Sequence, residues 1–176
     1  MIIRMHMFRA AFAAALLLAF GHAAIADEAG AGKFLRQAIR GDLSEVQIGK
    51  LAQQKSTNAE VKSFGEMLVT DHGAHLTEAS TLAKTMNVKV HETPTQKAQA
   101  IYNKLAKLSG AAFDKEFVAA MVKDHQEDIA KYQQEAQAND GEVSALAQKT
   151  LPVLQHHLET AQALQPKVNA EQQSSE

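Results

Sequence analysis

Between residues 61 and 86, apolar side chains recur at alternating steps of four and three residues. This spacing is typical of a helix that packs one face against other helices. The stripe reads Val61, Gly65, Leu68, His72, His75, Ala79, Leu82 and Met86. Two histidines therefore take positions that the pattern reserves for apolar residues, so the fold has to place two imidazoles in or beside its core.

Three other segments have the same helical spacing. They carry Leu35, Ala38, Ile39, Val46 and Ala52 within residues 31–55, then Phe113, Phe117, Met121, His125, Ile129, Tyr132 and Ala136 within residues 112–138, and finally Val143, Leu146, Thr150, Leu154, His157, Ala161 and Leu164. Tryptophan is absent, there are only three prolines, and no run of alternating β-branched residues predicts a strand. Gly41 and Asp42 are expected to loosen the middle of the first helix. The chain is therefore predicted to be all-α.

Capping signals separate these helices. Thr57 and Glu60 form a capping box before the second helix, and Thr93-Pro94-Thr95-Gln96 forms another before a short helix that carries Ala98, Ile101, Leu105 and Leu108. Asn139-Asp140-Gly141 predicts a turn, and Asp140 is placed to cap the last helix. The short helix is thus expected in the connection between the second and third long helices.

A weak internal repeat relates the two halves of the chain. A shift of 82 residues places Glu60-Val61 on Glu142-Val143 and His75-Leu76 on His157-Leu158. Two similar helical hairpins joined by a crossover are the components of a ferritin-like bundle. We therefore predict a ferritin-like four-helix bundle with a short extra helix in the crossover.

The first 26 residues have the layout of a secretory signal. Arg4 and Arg9 precede an apolar run over residues 10–20, and Ala24-Ile25-Ala26 supplies a cleavage pattern. The run is about half of the roughly 20 residues that a spanning helix needs. We predict a cleaved signal peptide at 1–26, a helical domain at 27–165, a disordered tail at 166–176 because periodic apolar residues stop there, and no transmembrane segment in the mature chain.

Charge and cysteine content narrow the classes of function. The net charge of −2, without a clustered basic surface, gives no reason to expect nucleic acid as a partner. The chain has no cysteine, so disulfides, thiolate metal sites and thiol catalysis are excluded. Packing has to stabilise the fold by itself.

Imidazoles and carboxylates on the inward stripes are candidate metal ligands. They are Glu45, His72, His75, His125 and His157. Side chains that converge from several helices form the metal sites of helical bundles, and mixed imidazole and carboxylate ligands suit zinc best, with iron or copper behind it. We expect a single transition-metal ion. Asp71 and Asp124, each just before an inward histidine, are expected to lie at the surface or to contact a ligand.

Other functions stay open. The second hypothesis is that the inward histidines are core residues hydrogen-bonded to carboxylates, in a structural or stress-related module with an envelope protein as its partner. A di-metal oxidase is the third hypothesis: Glu45 and Glu127 could fill two ligand positions, but His72-x-x-His75 and Leu154-x-x-His157 replace the two Glu-x-x-His motifs that ferritin-like di-iron sites use. An enzymatic activity is therefore not expected.

Several short motifs carry a resemblance to a known family. They are Ser44-Glu45-Val46, Lys50-Leu51-Ala52, residues 61–64 and 67–72, Phe113-Asp114, residues 121–125, Thr150-Leu151-Pro152 and His156-His157-Leu158. Over about residues 31–164 the chain resembles an exported bacterial family, domain of unknown function 4142, whose members are often labelled predicted or putative outer-membrane proteins. The resemblance implies a ferritin-like bundle in the periplasm or peripherally associated with the outer membrane, and it implies no settled activity.

Overall fold

The computed structural model describes residues 19–174, with the side chains of residues 30–171 and 173. This part of the chain folds into five α-helices and contains no strand. They are α1 (Ala19–Lys55), α2 (Ala59–Thr85), α3 (Gln96–Leu105), α4 (Gly110–Ala136) and α5 (Glu142–Ser174). The predicted all-α class is confirmed.

The four long helices pack as two hairpins. α1 lies against α2, and α4 lies against α5. α2 also contacts α5, and α1 contacts α4, so each hairpin meets the other through both of its helices. The short α3, in the connection where the sequence predicts a short helix, packs against α1 and α4.

The helix caps differ by one or two residues from the predicted capping boxes. Asn58, not Thr57, caps α2: its Oδ1 accepts from the backbone N–H groups of Glu60 (2.8 Å) and Val61 (3.2 Å). Thr95, not Thr93, caps α3 by accepting from the N–H of Ala98 at 3.1 Å. Asn58 and Thr95 both have the extended backbone that a capping residue requires.

Asp140 acts at the start of α5 as the sequence predicts. Its Oδ1 accepts from the backbone N–H of Ser144 at 2.8 Å and from the Ser144 hydroxyl at 2.7 Å. The turn before it places Asn139 and Gly141 at positive φ, 56° and 76°. Asparagine and glycine are the residues that adopt this region most readily, so the turn chemistry is local.

Apolar residues form two clusters, one toward each end of the helices, and a buried polar layer lies between them. The first cluster contains Ile48, Leu68, Phe117, Met121 and Ala161, and the second contains Ile39, Ala79, Tyr132, Val143 and Leu154, among others. The buried polar residues that fall between these positions along each long helix are Asp42, Glu45, His72, His75, His125 and His157. Apolar side chains on either side of each polar position fix the direction in which it points.

α1 and α2 approach each other closely at Gly49 and Gly65. A Cβ atom on Gly65 would lie 2.8 Å from the Gly49 carbonyl oxygen and 2.8 Å from Ala52 Cβ. Real Cβ atoms essentially never come this close to another atom, so α1 and α2 can cross here because both residues are glycines.

The segment predicted to be a disordered tail is helical. α5 continues through Pro166 to Ser174, because Leu164 and Val168, four residues apart, extend the buried stripe by one turn. Val168 is 1% exposed, and Lys167 Nζ lies 2.7 Å from Glu60 Oε2. These contacts hold the end of α5 against the start of α2.

Two predicted segments fall partly outside the described residues. Residues 1–18 and 175–176 are not described, so most of the predicted signal segment and the last two residues of the tail lie there. α1 begins at Ala19 rather than near residue 31. Among the described helices, none contains an apolar stretch long enough to cross a membrane.

Candidate metal centre

Three of the five predicted ligands come together in the buried polar layer. His72 of α2, His125 of α4 and His157 of α5 each offer one ring nitrogen, and these nitrogens lie within 4.8 Å of one another. The side chains are 6%, 2% and 0% exposed. Ring centroids are 5.2 to 5.8 Å apart. We call these residues the three-histidine cluster.

Hydrogen-bond acceptors fix the orientation of each ring in the three-histidine cluster. His72 Nδ1 lies 2.9 Å from Asp42 Oδ1, and His157 Nε2 lies 2.9 Å from Asp71 Oδ2. His125 Nδ1 lies 3.0 Å from the carbonyl oxygen of Met121. A carboxylate or carbonyl can only accept, so each of these nitrogens carries the ring hydrogen and donates it.

In the neutral form of each ring, the opposite nitrogen carries a lone pair, and these three nitrogens converge. His125 Nε2 and His157 Nδ1 are 3.2 Å apart, and in that form neither atom carries a hydrogen. His72 Nε2 is buried and has no hydrogen-bond partner in the described chain. Two lone pairs at this distance repel unless a cation lies between them, so the arrangement has the form of a metal site.

Burial disfavours the charged form of two rings of the cluster. Desolvation, together with the neighbouring His72 and His157, lowers the pKa of His125 to about 3. Burial also lowers the pKa of His157, against the opposing effect of its hydrogen bond to Asp71. Neutral imidazole is the form that binds metal ions, so at neutral pH neither ring has to lose a proton first.

The predicted ligand His75 lies beside the cluster and not within it. Its Nδ1 is 2.7 Å from Asp42 Oδ2, so one carboxylate holds both His72 and His75. Asp42 is 2% exposed, and the sequence did not predict it as the partner of a histidine. Its spacing was a usable signal of burial alone, because Asp42 follows Leu35 by seven residues on the same face of α1.

The predicted ligand Glu45 is buried but lies outside the cluster. Burial raises the pKa of its carboxyl well above the ordinary value, and the nearby charges and hydrogen bond of Asp124 and the charges of Asp128 and Asp42 raise it further. Burial therefore disfavours the charged form of the Glu45 carboxyl, which is the form that binds metal ions. Glu127 lies at the surface, where Lys97 Nζ contacts its carboxylate, so the described chain has no second buried glutamate at this level.

Two cavities border the cluster. One, of about 270 Å³, lies between α1, α3 and α4, with Asp42, Asp124 and Asp128 on its walls and His72 at its inner side. The other, of about 150 Å³, lies between α2 and α5 and is lined by His72, His75 and His157. His72 therefore borders both cavities.

Comparison with known proteins identifies the family and nothing narrower. No curated protein and no solved structure matches the chain. The profile described as Domain of unknown function (DUF4142) matches residues 20–164, which include α2, α3 and α4, most of α1 and α5, and every residue of the three-histidine cluster. The resemblance seen in the sequence is confirmed. This chain belongs to the DUF4142 family.

Proposed function

We propose that this protein binds one transition-metal ion through His72 Nε2, His125 Nε2 and His157 Nδ1. The observation that carries the proposal is the convergence of three lone pairs, each directed inward by a different hydrogen-bond acceptor on the far side of its ring. Histidine ligands in metal sites almost always donate their second N–H in this way. A histidine that merely completes a core would be expected to find a donor for its lone pair.

Charge around the cluster favours a divalent ion. Three neutral imidazoles bring no charge, while Asp42 and Asp71 each place one carboxylate on the outer nitrogen of a ligand ring. Two negative charges balance a doubly charged ion, which reduces the cost of placing it in a buried site. Zinc accepts three histidines readily, and we rank it before iron and copper.

The packing supports a ferritin-like four-helix bundle as the architecture of the site. Two hairpins joined through a crossover that contains α3 are the components of that fold. A di-metal oxidase finds little support, since burial disfavours the charged form of Glu45 and Glu127 lies at the surface of the described chain. We propose metal binding without oxidase chemistry.

The residue pattern at the N-terminus supports export to the periplasm or the cell envelope. Arg4, Arg9 and Ala24-Ile25-Ala26 are the features on which this part of the proposal depends. N-terminal sequencing of the protein from a periplasmic extract tests it. Asp27 as the first residue is the expected result, and an intact Met1 in the cytoplasmic fraction would contradict export.

Metal content of the purified protein tests the main proposal. Elemental analysis should find about one ion per chain in the wild type and in His156→Ala, which removes an exposed histidine next to the cluster. His125→Ala should contain almost none. A chelator should lower the melting temperature of the wild type, because a ligand that binds only the folded state stabilises it. Equal, near-zero metal in all three proteins would remove the proposal.

A further inference from the structure

His75 presents a buried acceptor that no described group uses. It is 8% exposed, its Nδ1 donates to Asp42, and in the neutral imidazole its Nε2 carries a lone pair. That Nε2 atom is buried and has no hydrogen-bond partner in the described chain. His75 lines the cavity between α2 and α5 together with two members of the three-histidine cluster, His72 and His157.

The metal ion of the proposed function would have an unfilled coordination position. Tetrahedral zinc takes four ligands, and the group of converging ligand atoms in the described chain contains only three. The carboxylate of Asp71, which also lines this cavity, already accepts from His157 Nε2. Sites with three protein ligands and one exchangeable ligand are those at which metal ions bind external molecules.

We propose that the cavity between α2 and α5 admits a small neutral ligand that coordinates the metal ion and donates an N–H or O–H to His75 Nε2. This inference rests on the proposed function. The cavity holds about 150 Å³, a size at which a buried cavity in another protein accepts benzene, so a five-membered ring or a smaller molecule fits. Ala74, Val153 and Leu154 line it as well, and its charged residues Glu78 and Lys149 pair with each other, so the lining favours an uncharged molecule.

Azoles match this chemistry, since imidazole has a lone pair for the metal ion and an N–H on the opposite side of the ring. 1-Methylimidazole has the lone pair but no N–H, and it serves as the matched control ligand. The experiment loads the full chain with one equivalent of Co²⁺ and titrates each azole while the visible absorption of the ion is recorded. Metal content measured after the titration shows whether the ion stays bound.

The wild-type protein is expected to respond to both azoles and to prefer imidazole over 1-methylimidazole by about three- to tenfold, the effect of one net hydrogen bond. In His75→Leu the preference should fall to the ratio found for Co²⁺ in solution. The ratio for the ion in solution also gives a reference that needs no variant. Dividing the ratio measured with the protein by the solution ratio removes the effect of the methyl group on the intrinsic affinity of the azole for Co²⁺.

Each outcome decides a different claim. Bound cobalt whose spectrum does not change with saturating imidazole means that the protein fills the fourth position, and it overturns this inference while the proposed function stands. A wild-type preference equal to the solution ratio overturns the role of His75. Failure of the wild type to bind cobalt, zinc or any other ion overturns the inference and the proposed function together.

Discussion

Replacing His125 with leucine in the metal-free protein should make folding less sensitive to acid. The His125 side chain is 2% exposed, and burial lowers its pKa from 6.5 to about 3. In the unfolded chain the same imidazole titrates near its ordinary value of about 6.5. Between these two values the unfolded state binds a proton that the folded state does not accept, so the free energy of unfolding falls as the pH falls.

The size of the effect follows from that window. At pH 7 the His125 side chain is mostly uncharged in both the folded and the unfolded state, so it contributes little to the pH dependence there. From pH 6.5 to pH 5 the loss is about 1.4 kcal/mol for each unit, or about 2 kcal/mol in total. His157, whose pKa is also lowered, acts in the same direction, whereas the raised pKa of the Glu45 carboxyl acts in the opposite direction. Both of those groups are present in the variant, so the difference between the two proteins isolates His125.

Urea denaturation in EDTA, followed by far-UV circular dichroism at pH 7 and pH 5, measures this difference. The wild type should lose about 2 kcal/mol more than His125→Leu between these pH values. His156→Leu, at an exposed position, is the control and should behave as the wild type does. A wild type and a His125→Leu variant with the same pH dependence would show that His125 is protonated in the folded protein, and the argument for converging lone pairs would fail.

Three further changes test other parts of the structure. Asp42→Asn should weaken zinc binding about 10- to 100-fold, because a carboxylate that orients His72 is lost. Competition with a chromophoric chelator measures the zinc affinity of both proteins. An unchanged affinity would contradict the role of Asp42 in orienting His72. Gly65→Ala should lower the free energy of unfolding by about 1–3 kcal/mol, because its Cβ would overpack the contact between α1 and α2. Gly73→Ala, with nothing within 4 Å of its added Cβ, should raise the free energy of unfolding by about 0.5–1 kcal/mol. Urea denaturation measures both values, and similar effects of the two substitutions would exclude the close approach of the helices. Val168→Ala should lower the free energy of unfolding by about 1–2 kcal/mol in the same assay, because Val168 is buried. The control Val153→Ala, at an exposed position, should lower it by less than about 0.5 kcal/mol. Equal losses would mean that the end of α5 is not packed.

Helical periodicity was enough to place most of the fold and part of the site. The stripes at steps of four and three put His72, His125 and His157 on buried faces, and the structure places them there. Periodicity reports which side of a helix is buried, and three helices with buried histidines at similar depth leave little choice about where the rings go. The cluster was therefore within reach of the sequence.

The partners of those histidines could not be predicted in the same way. Asp42 and Glu45 lie one turn apart on the buried side of α1, and both are 2% exposed. Which of them faces His72 depends on how α1 and α2 cross, and that crossing is set by Gly49 and Gly65 at atomic distances. Spacing along one helix contains no information about this contact.

The internal repeat predicted similar positions for two histidines that differ in their contacts. A shift of 82 residues places His75 on His157 and suggests equal roles for the two histidines. In the structure His157 joins the three-histidine cluster, while His75 pairs with Asp42. Asp42 would correspond to Asp124, which lies near the surface, so the two hairpins place their carboxylates differently although their histidines match.

The proposed ligands are divided unequally between the hairpins, and this has a mechanical consequence. α2 supplies His72 from the first hairpin, α4 and α5 supply His125 and His157 from the second, and α1 contributes only Asp42 behind His72. An ion bound to all three rings would join the two hairpins at the level where apolar packing is interrupted. Without the ion, the same layer brings together buried polar groups whose lone pairs repel, which weakens the contact between the hairpins. The metal ion would therefore act at a level where buried polar groups interrupt the apolar core, so its binding and the docking of the two hairpins should be thermodynamically linked.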